Sequence, residues 1–288
     1  MNKYKVIQVK TKRGFVLNAF EQDSITREIQ ERGEYDANTL DSIDDILRII
    51  KPEVSLDIGA NIGNHSLVIA RNSRRLVAFE PVGFIFGVLQ SNLLQNRIDH
   101  AQAVNSGLSD EAADRDIFIP ENGNLGSSSI EARDGAGCRL RINTIIGDGY
   151  VQKNLDGSRI DFIKIDVEGH EASALQGLRA TIKESQPLLL LEWNNATTVN
   201  AFSNKNLFAE LFSGYGYYSL SYTSNKKMHA RNLAGFIKRL YYRSFAKRWC
   251  LSDFEPSRHY SNVYFVPPRY KAVFEQFIYF SPKGVAAS

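Results

Sequence analysis

Ser55-Leu56-Asp57-Ile58-Gly59-Ala60-Asn61-Ile62-Gly63, running on into Asn64-His65-Ser66-Leu67, is the stretch that decides the fold. Residues 54–58 read as a buried strand, the glycines bracket a turn, and a helix follows through Ala70. Glycine in such a turn lets backbone approach a ligand closely, and the helix start offers unpaired N–H groups beside it. Asp57 closes the strand and is expected to face the same crevice. A crevice at the carboxyl end of the first strand of an open α/β sheet is where nucleotide-like ligands bind.

Spacing narrows the ligand. A dinucleotide fingerprint requires G-x-G-x-x-G, and from Gly59 the second and third glycine positions hold Asn61 and Asn64. The Lys-Ser/Thr ending of a phosphate-binding loop is missing as well. What remains, D-x-G-x-N-x-G without a basic residue, suits a ligand that lacks phosphates, and S-adenosylmethionine is one. A purely structural turn would also explain two glycines and a helix start.

The chain has 288 residues, 43% hydrophobic and 23% charged, the balance of a soluble globular protein. We expect a single domain: an N-terminal hairpin and helical cap over 1–52, a cofactor-binding core over 53–222, a basic, aromatic insertion over 223–258, and a last strand and tail over 259–288. A net charge of +3 does not by itself imply a nucleic-acid partner, and none is expected. Cys138 and Cys250 are too few for a disulfide framework or a zinc cluster and fit a reducing compartment. The basic, polar N-terminus has no apolar signal core, and no stretch approaches the roughly 20 apolar residues of a membrane span. A cytoplasmic location is therefore expected.

Ahead of the opening loop, Tyr4, Val6, Ile7 and Val9, then Phe15, Val16 and Leu17, predict a hairpin turning near Lys12-Arg13-Gly14. A polar helix over 24–33 and a second over 38–50, ended by Pro52, complete the cap, which is either a plain extension or a substrate lid. After the loop, 75–79 is a second buried strand ending in Glu80, and Pro81 opens a helix to about Asn96. An acid at that tip is placed to accept hydrogen bonds from both hydroxyls of a ribose. A third strand over 102–108 carries Ser106 into a wall for an adenine ring. Residues 116–119 and 139–142 read as short extended pieces around a polar loop, 121–129, which is either flexible or substrate-facing.

A second informative stretch is Ile163-Lys164-Ile165-Asp166-Val167-Glu168-Gly169-His170-Glu171. The strand ends at Asp166, and a helix runs from about 169 to 184. Asp166, Glu168, His170 and Glu171 crowd this junction, where repulsion and burial raise carboxylate pKa values. A helix N-terminus also favours acids, so part of the cluster is structural. Residues 186–191 form one more apolar strand, closed by Glu192. Asp57, Glu80, Asp166 and Glu192 thus recur at strand ends, as one edge-long site for a sulfonium cation requires.

Taken together, Asp57 to Gly63, Phe79-Glu80-Pro81, Ile163 to Glu171 and the strand ending in Glu192 resemble, in order and spacing, the FkbM family of S-adenosylmethionine-dependent methyltransferases. The resemblance covers about residues 20–195. It implies an α/β class I methyltransferase (Rossmann-like) fold, a mostly parallel seven-stranded sheet with an antiparallel last strand, and methyl transfer to an oxygen, often a sugar or polyketide hydroxyl. It further implies that Asp57, Gly59, Asn61 and Gly63 lie along the methionine part of the cofactor, that Glu80 holds the ribose, and that Asp166 sits beside the methyl group. The general base is chosen on chemistry alone: His170, since an imidazole is neutral near pH 7, oriented by Asp166 or Glu168. A divalent cation on Asp166, Glu192 and Asn194 is the alternative way to activate a hydroxyl. Two other classes stay open, a nicotinamide-dependent oxidoreductase and a non-catalytic glycan- or membrane-binding protein on a methyltransferase scaffold.

Beyond Asn195 a helix over 205–213, a strand over 216–221 and an antiparallel strand over 262–266 are expected. Between the strands, the C-terminal insertion 223–258 holds nine Lys or Arg against Asp253 and Glu255, interleaved with Phe236, Tyr241, Tyr242, Phe245, Trp249 and Phe254. On a helical wheel Leu233, Phe236, Ile237, Leu240 and Tyr241 cluster, whereas Phe245 and Trp249 drift away. The expected partner is a small-molecule or glycan acceptor. The insertion suits either packing on the core or contact with an anionic glycan or a peripheral membrane surface.

Overall fold

In the computed structural model, residues 4–120, 137–155, 157–193, 196–204, 206–222, 232–244, 249–258 and 260–280 are described. The polar loop 121–129, Asn194, and 223–231 and 245–248 of the basic segment lie outside them.

β1 (Val6–Lys10) and β2 (Val16–Phe20) pair as the predicted hairpin, with Val6 opposite Phe20. α1 (Ser24–Arg32) starts at Asp23, whose side chain accepts the Ile25 N–H, and stops at Gly33 in the left-handed region. α2 (Ala37–Ile50) ends at Lys51, also left-handed, ahead of Pro52.

The core then alternates strand and helix: β3 (Val54–Ile58), α3 (Asn64–Asn72), β4 (Arg75–Phe79), α4 (Gly83–Gln95) and β5 (Ala101–Val104). Asn92 of α4 is fully buried and ties the N-terminal hairpin to the opening loop, donating to Asn18 O at 2.9 Å and Ile62 O at 2.7 Å. β6 (Gly107–Ser109), β7 (Ala113–Pro120) and β8 (Gly137–Ile146) form a separate three-stranded sheet. α5 (Gly147–Asn154), β9 (Ile160–Ile165), α6 (Glu171–Gly177), α7 (Arg179–Ser185) and β10 (Leu188–Trp193) resume the alternation. The chain closes with α8 (Ala196–Asn204), α9 (Leu207–Leu211), β11 (Gly216–Tyr222), α10 (Leu233–Ser244), β12 (Trp249–Asp253), β13 (Tyr260–Val266), a 3-10 turn (Pro268–Tyr270), α11 (Lys271–Phe274) and β14 (Ile278–Phe280).

The main sheet runs β14-β12-β11-β13-β10-β9-β3-β4-β5. β5, β4, β3, β9 and β10 are mutually parallel, and β13 runs against both β10 and β11. β3 and β9 are buried along their whole length, as expected of parallel strands covered on both faces. Leu56, Ile163 and Leu189 pack to one face and Leu76, Phe162 and Leu188 to the other. After β3 the chain moves outward through β4 and β5, then returns to place β9 on the other flank of β3. The strand order therefore reverses beside β3, where an open sheet leaves a crevice.

Four expectations need correction. The third strand breaks at Asn105-Ser106, because the Asn105 amide donates to Glu80 O and Pro81 O and turns the chain into the small sheet. The helix after β9 is two helices, since Asp148 of α5 caps the second by accepting the Ala180 and Thr181 N–H groups at 2.8 Å. The helix expected over 205–213 is the shorter α9, starting after Asn206 in the left-handed region, and α8 ahead of it was not anticipated. Among the described residues the sheet has nine strands rather than seven: β12, inside the supposed insertion, pairs with β11, and β14 pairs with β12.

Candidate active site

Gly59, Asn61, Glu80, Asp166, Glu168 and His170 line a cleft of about 600 Å³, counted to its open mouth, at the ends of β3, β4 and β9. Pro81, Val82, Gly107, Leu108 and Ile117 give it an apolar wall. Gly59 has φ 79°, and a Cβ there would stand 1.9 Å from the Asp166 carbonyl oxygen. Only glycine lets the β3 and β9 loops meet, and the Asp166 N–H donates to Ile58 O at 3.0 Å across that junction. Glu80 accepts the Asn61 N–H at 3.0 Å and the Val82 N–H at 2.9 Å. Burial pushes its carboxyl up to about 7, with the two N–H donors opposing and Asp57 assisting.

Asp166 also borders a second cavity of about 1040 Å³, again counted to its mouth, walled by Glu28, Tyr35, Asp36, His65, Lys164, Glu192 and the start of β13. Glu28, Tyr35 and Asp36 come from the N-terminal cap, so the cap is a wall of this cavity. The Asn64 side chain donates to Tyr35 O at 3.3 Å, and His65 Nε2 lies 3.4 Å from Asp36 Oδ2. Lys164 is buried, with Nζ 3.0 Å from Asp166 Oδ2 and 3.8 Å from Asp57 Oδ1. Burial works against its charge, yet Asp166 and Asp57 together push its pKa up. For Asp166, burial is overcome by Lys164, a hydrogen bond with Glu192 and the nearby His65, which hold the carboxyl low. Glu192 goes the other way: burial and the Asp166 charge raise it, so it keeps the proton the pair shares.

Of the cofactor residues nominated from sequence, three lie away from the cleft. Asp57 is fully buried, accepting the Ser66 hydroxyl at 2.6 Å, and supports Lys164 from beneath rather than facing a ligand. Gly63, at φ 92°, begins α3, and a Cβ there would meet Leu89 at 2.8 Å, so it serves helix packing. Ser106 donates its hydroxyl to Asn105 O and Asn143 Oδ1, leaving Gly107 and Leu108 as the wall.

His170 is in the cleft, but its Nε2 is 3.0 Å from the Ser109 hydroxyl and it does not border the second cavity. Glu171 is structural: it accepts the Val167 and Gly169 N–H groups and the Thr198 hydroxyl. Glu168 holds φ 52°, an uncommon backbone state for a non-glycine residue and one found at functional turns. In the alternative metal set, Asp166 already faces the Lys164 ammonium, and Asn194 lies outside the described residues. Among the described residues no three His, Cys, Asp or Glu are grouped to hold a metal ion.

Sequence reading missed Tyr35, His65 and Lys164. Lys164 had a signal, a cation inside an apolar strand two residues before Asp166 and hence on the same face.

The chain belongs to the FkbM methyltransferase domain family, which matches residues 57–218. Among similar proteins, methyltransferase sdnD of Sordaria araneosa is 27% identical over 164 residues, 46% of this chain and 63% of that protein. The hexuronic acid methyltransferase AglP of Haloferax volcanii is 29% identical over 143 residues, 46% of this chain and 55% of that one. The match spans less than two thirds of either relative. The solved methyltransferase FkbM of Methylobacillus flagellatus is 17% identical, with a TM-score of 0.43 over 75% of this chain and 44% of that one. So loose an overlap adds nothing to the fold described above.

Proposed function

We propose that this protein is an S-adenosylmethionine-dependent O-methyltransferase whose acceptor is an uncharged hydroxyl-bearing molecule, a sugar foremost. The observation that carries the reading is the meeting of two cavities at Asp166, one with no Lys or Arg in its described lining, the other acid-walled and holding an imidazole. The cleft residues fit the cofactor. Glu80 is buried and accepts only two of the roughly four hydrogen bonds a carboxylate can take, so ribose hydroxyls find acceptors there. Gly59 and Asn61 would follow the methionine part, Leu108 and Ile117 the adenine, and Asp166 and Glu168 supply negative charge near a sulfonium. When bound, the cofactor supplies an electrophilic methyl group on a positively charged sulfur.

The chain's own part is to place an acceptor oxygen in line and receive its proton. Alignment contributes up to about 7–11 kcal/mol in oriented reactions, and a general base about 10²–10⁴-fold. His65 takes the proton in this reading, and Asp36 beside it stabilises the imidazolium that forms. Lys164 keeps Asp166 ionised, so Asp166 orients the acceptor hydroxyl as a hydrogen-bond acceptor.

The raised Glu80 carboxyl gives a pH prediction. Hydroxyls donating to it favour its ionised form, so affinity for S-adenosylhomocysteine is expected to rise as pH climbs through about 7, with a proton released on binding. Without ligand the sign is opposite for stability: a raised folded-state pKa means stability is lost between about 4.5 and about 7. Calorimetry in buffers of different ionisation heat reads the proton, and pH-independent affinity contradicts the assignment.

Glu28, Asp36 and Asp166 face one imidazole and a lysine already engaged, and Glu192 holds its proton, so the cavity disfavours an acceptor carrying its own carboxylate. Transfer of labelled methyl from S-adenosylmethionine to a panel of neutral hexosides and uronates tests this. Neutral sugars should be labelled at least about tenfold faster, a difference of about 1.4 kcal/mol. Label confined to uronates would overturn the acceptor assignment.

A further inference from the structure

A separate surface is unexplained by methyl transfer. α10 begins at Asn232, whose side chain accepts the Gly235 N–H at 2.8 Å and whose carbonyl accepts the Phe236 N–H at 3.0 Å, so the helix is properly capped. Leu233, Phe236, Ile237 and Leu240 follow at the i, i+3, i+4, i+7 spacing of a single helix face, and they are 75%, 51%, 57% and 51% exposed. The other exposed large hydrophobics among the described residues, Val6, Ile49, Leu94 and Ile146, are scattered singly along the chain. Scattered exposure is ordinary, but a contiguous exposed stripe marks an interaction surface.

The charge of the sequence that carries that stripe says what covers it. Lys226, Lys227, Arg231, Lys238, Arg239, Arg243, Lys247 and Arg248 all fall within 223–248, which contains no Asp or Glu. The whole chain carries only +3, so this one segment holds positive charge while the remainder is acidic. The excursion leaves and re-enters the sheet at one point, where Tyr222 of β11 pairs with Trp249 of β12.

We propose that α10 is a membrane-docking helix that lies on an anionic bilayer, its apolar stripe in the headgroup boundary, with acidic lipid favoured by the positive charge of this stretch of sequence. An apolar stripe on a short helix whose charged residues, Lys238, Arg239 and Arg243, are all basic is what interfacial anchoring uses. A soluble polyanion rewards the charge but leaves the apolar stripe in water. At 12 residues the helix is about 18 Å long, well short of the roughly 30 Å hydrocarbon core, so it lies on the membrane and does not cross it. Among the described residues no helix is long and apolar enough to span a bilayer. The proposal is independent of the methyl-transfer reading.

The test is co-sedimentation of the full chain with phosphatidylcholine vesicles, with and without phosphatidylglycerol, at low and high salt. Binding is expected to the phosphatidylglycerol vesicles and to weaken with salt. The Ile237→Ser, Leu240→Ser double variant should lower partitioning by about tenfold or more with an unchanged melting curve, both side chains being exposed. Lys238→Gln with Arg239→Gln should weaken binding chiefly at low salt. No binding to anionic vesicles, or binding untouched by the apolar variant, overturns the proposal. So does heparin binding that survives the apolar variant while vesicle binding is absent, which would identify a soluble polyanion as the partner.

Discussion

Alanine at Gly59 is expected to dismantle the junction on which both cavities depend. The new Cβ would lie 1.9 Å from the Asp166 carbonyl oxygen and 2.9 Å from its carbon. Both are backbone atoms, so no rotamer change relieves the clash. The left-handed backbone adds about 1–2 kcal/mol for any residue with a Cβ. β3 and β9 must part, and the Ile58–Asp166 backbone bond and the Lys164–Asp57 contact ride on their register. A total loss of about 3–5 kcal/mol lies in the range of clashes and broken buried ion pairs. At about 2–4 °C per kcal/mol for a chain somewhat shorter than this one, the melting temperature should fall by about 10 °C. Cofactor-analogue binding should go with it. A melt within a degree or two of the parent would mean the loops do not meet as described.

The second large effect separates His65 from His170. If His65 receives the acceptor proton, His65→Ala should lower kcat by about 10²–10⁴-fold while affinity for S-adenosylhomocysteine stays near the parent value. Added imidazole should restore part of the rate, which a merely structural loss would not show. His170 borders the cleft proposed for the cofactor and bonds Ser109, so His170→Ala should act mainly through cofactor affinity. The reverse pattern, with the rate carried by His170, would return the base to the position chosen from sequence.

The cleft at the ends of β3, β4 and β9 was readable in the chain because its signals are local. β3, β4, β9 and β10 are apolar runs closed by Asp57, Glu80, Asp166 and Glu192 or by the turns beside them, and their glycines punctuate them. Orientation was less readable. Asp57 ends a strand just as Glu80 and Asp166 do, yet it is turned inward by Ser66 and Lys164 from other elements. The second cavity was invisible because its wall gathers residues 28, 35, 36, 65, 164, 166, 192 and 260–262, which no window of sequence joins.

The same limit explains the errors in the fold. The break between α6 and α7 is set by Asp148, 32 and 33 residues away from the amides it caps. The split of the third strand is set by bonds from Asn105 back to Glu80 and Pro81. β12 has its pattern inside a basic segment, and only its pairing with β11 makes it a strand of the sheet.

Titration calorimetry of the full chain with S-adenosylhomocysteine, and separately with NAD, tests most directly whether the Gly59–Glu80–Asp166 cleft is the cofactor site. The expected result is saturable binding of S-adenosylhomocysteine in about the micromolar range, weakened at least about tenfold by Glu80→Ala, and no heat with NAD. Tight NAD binding with no response to S-adenosylhomocysteine would contradict it.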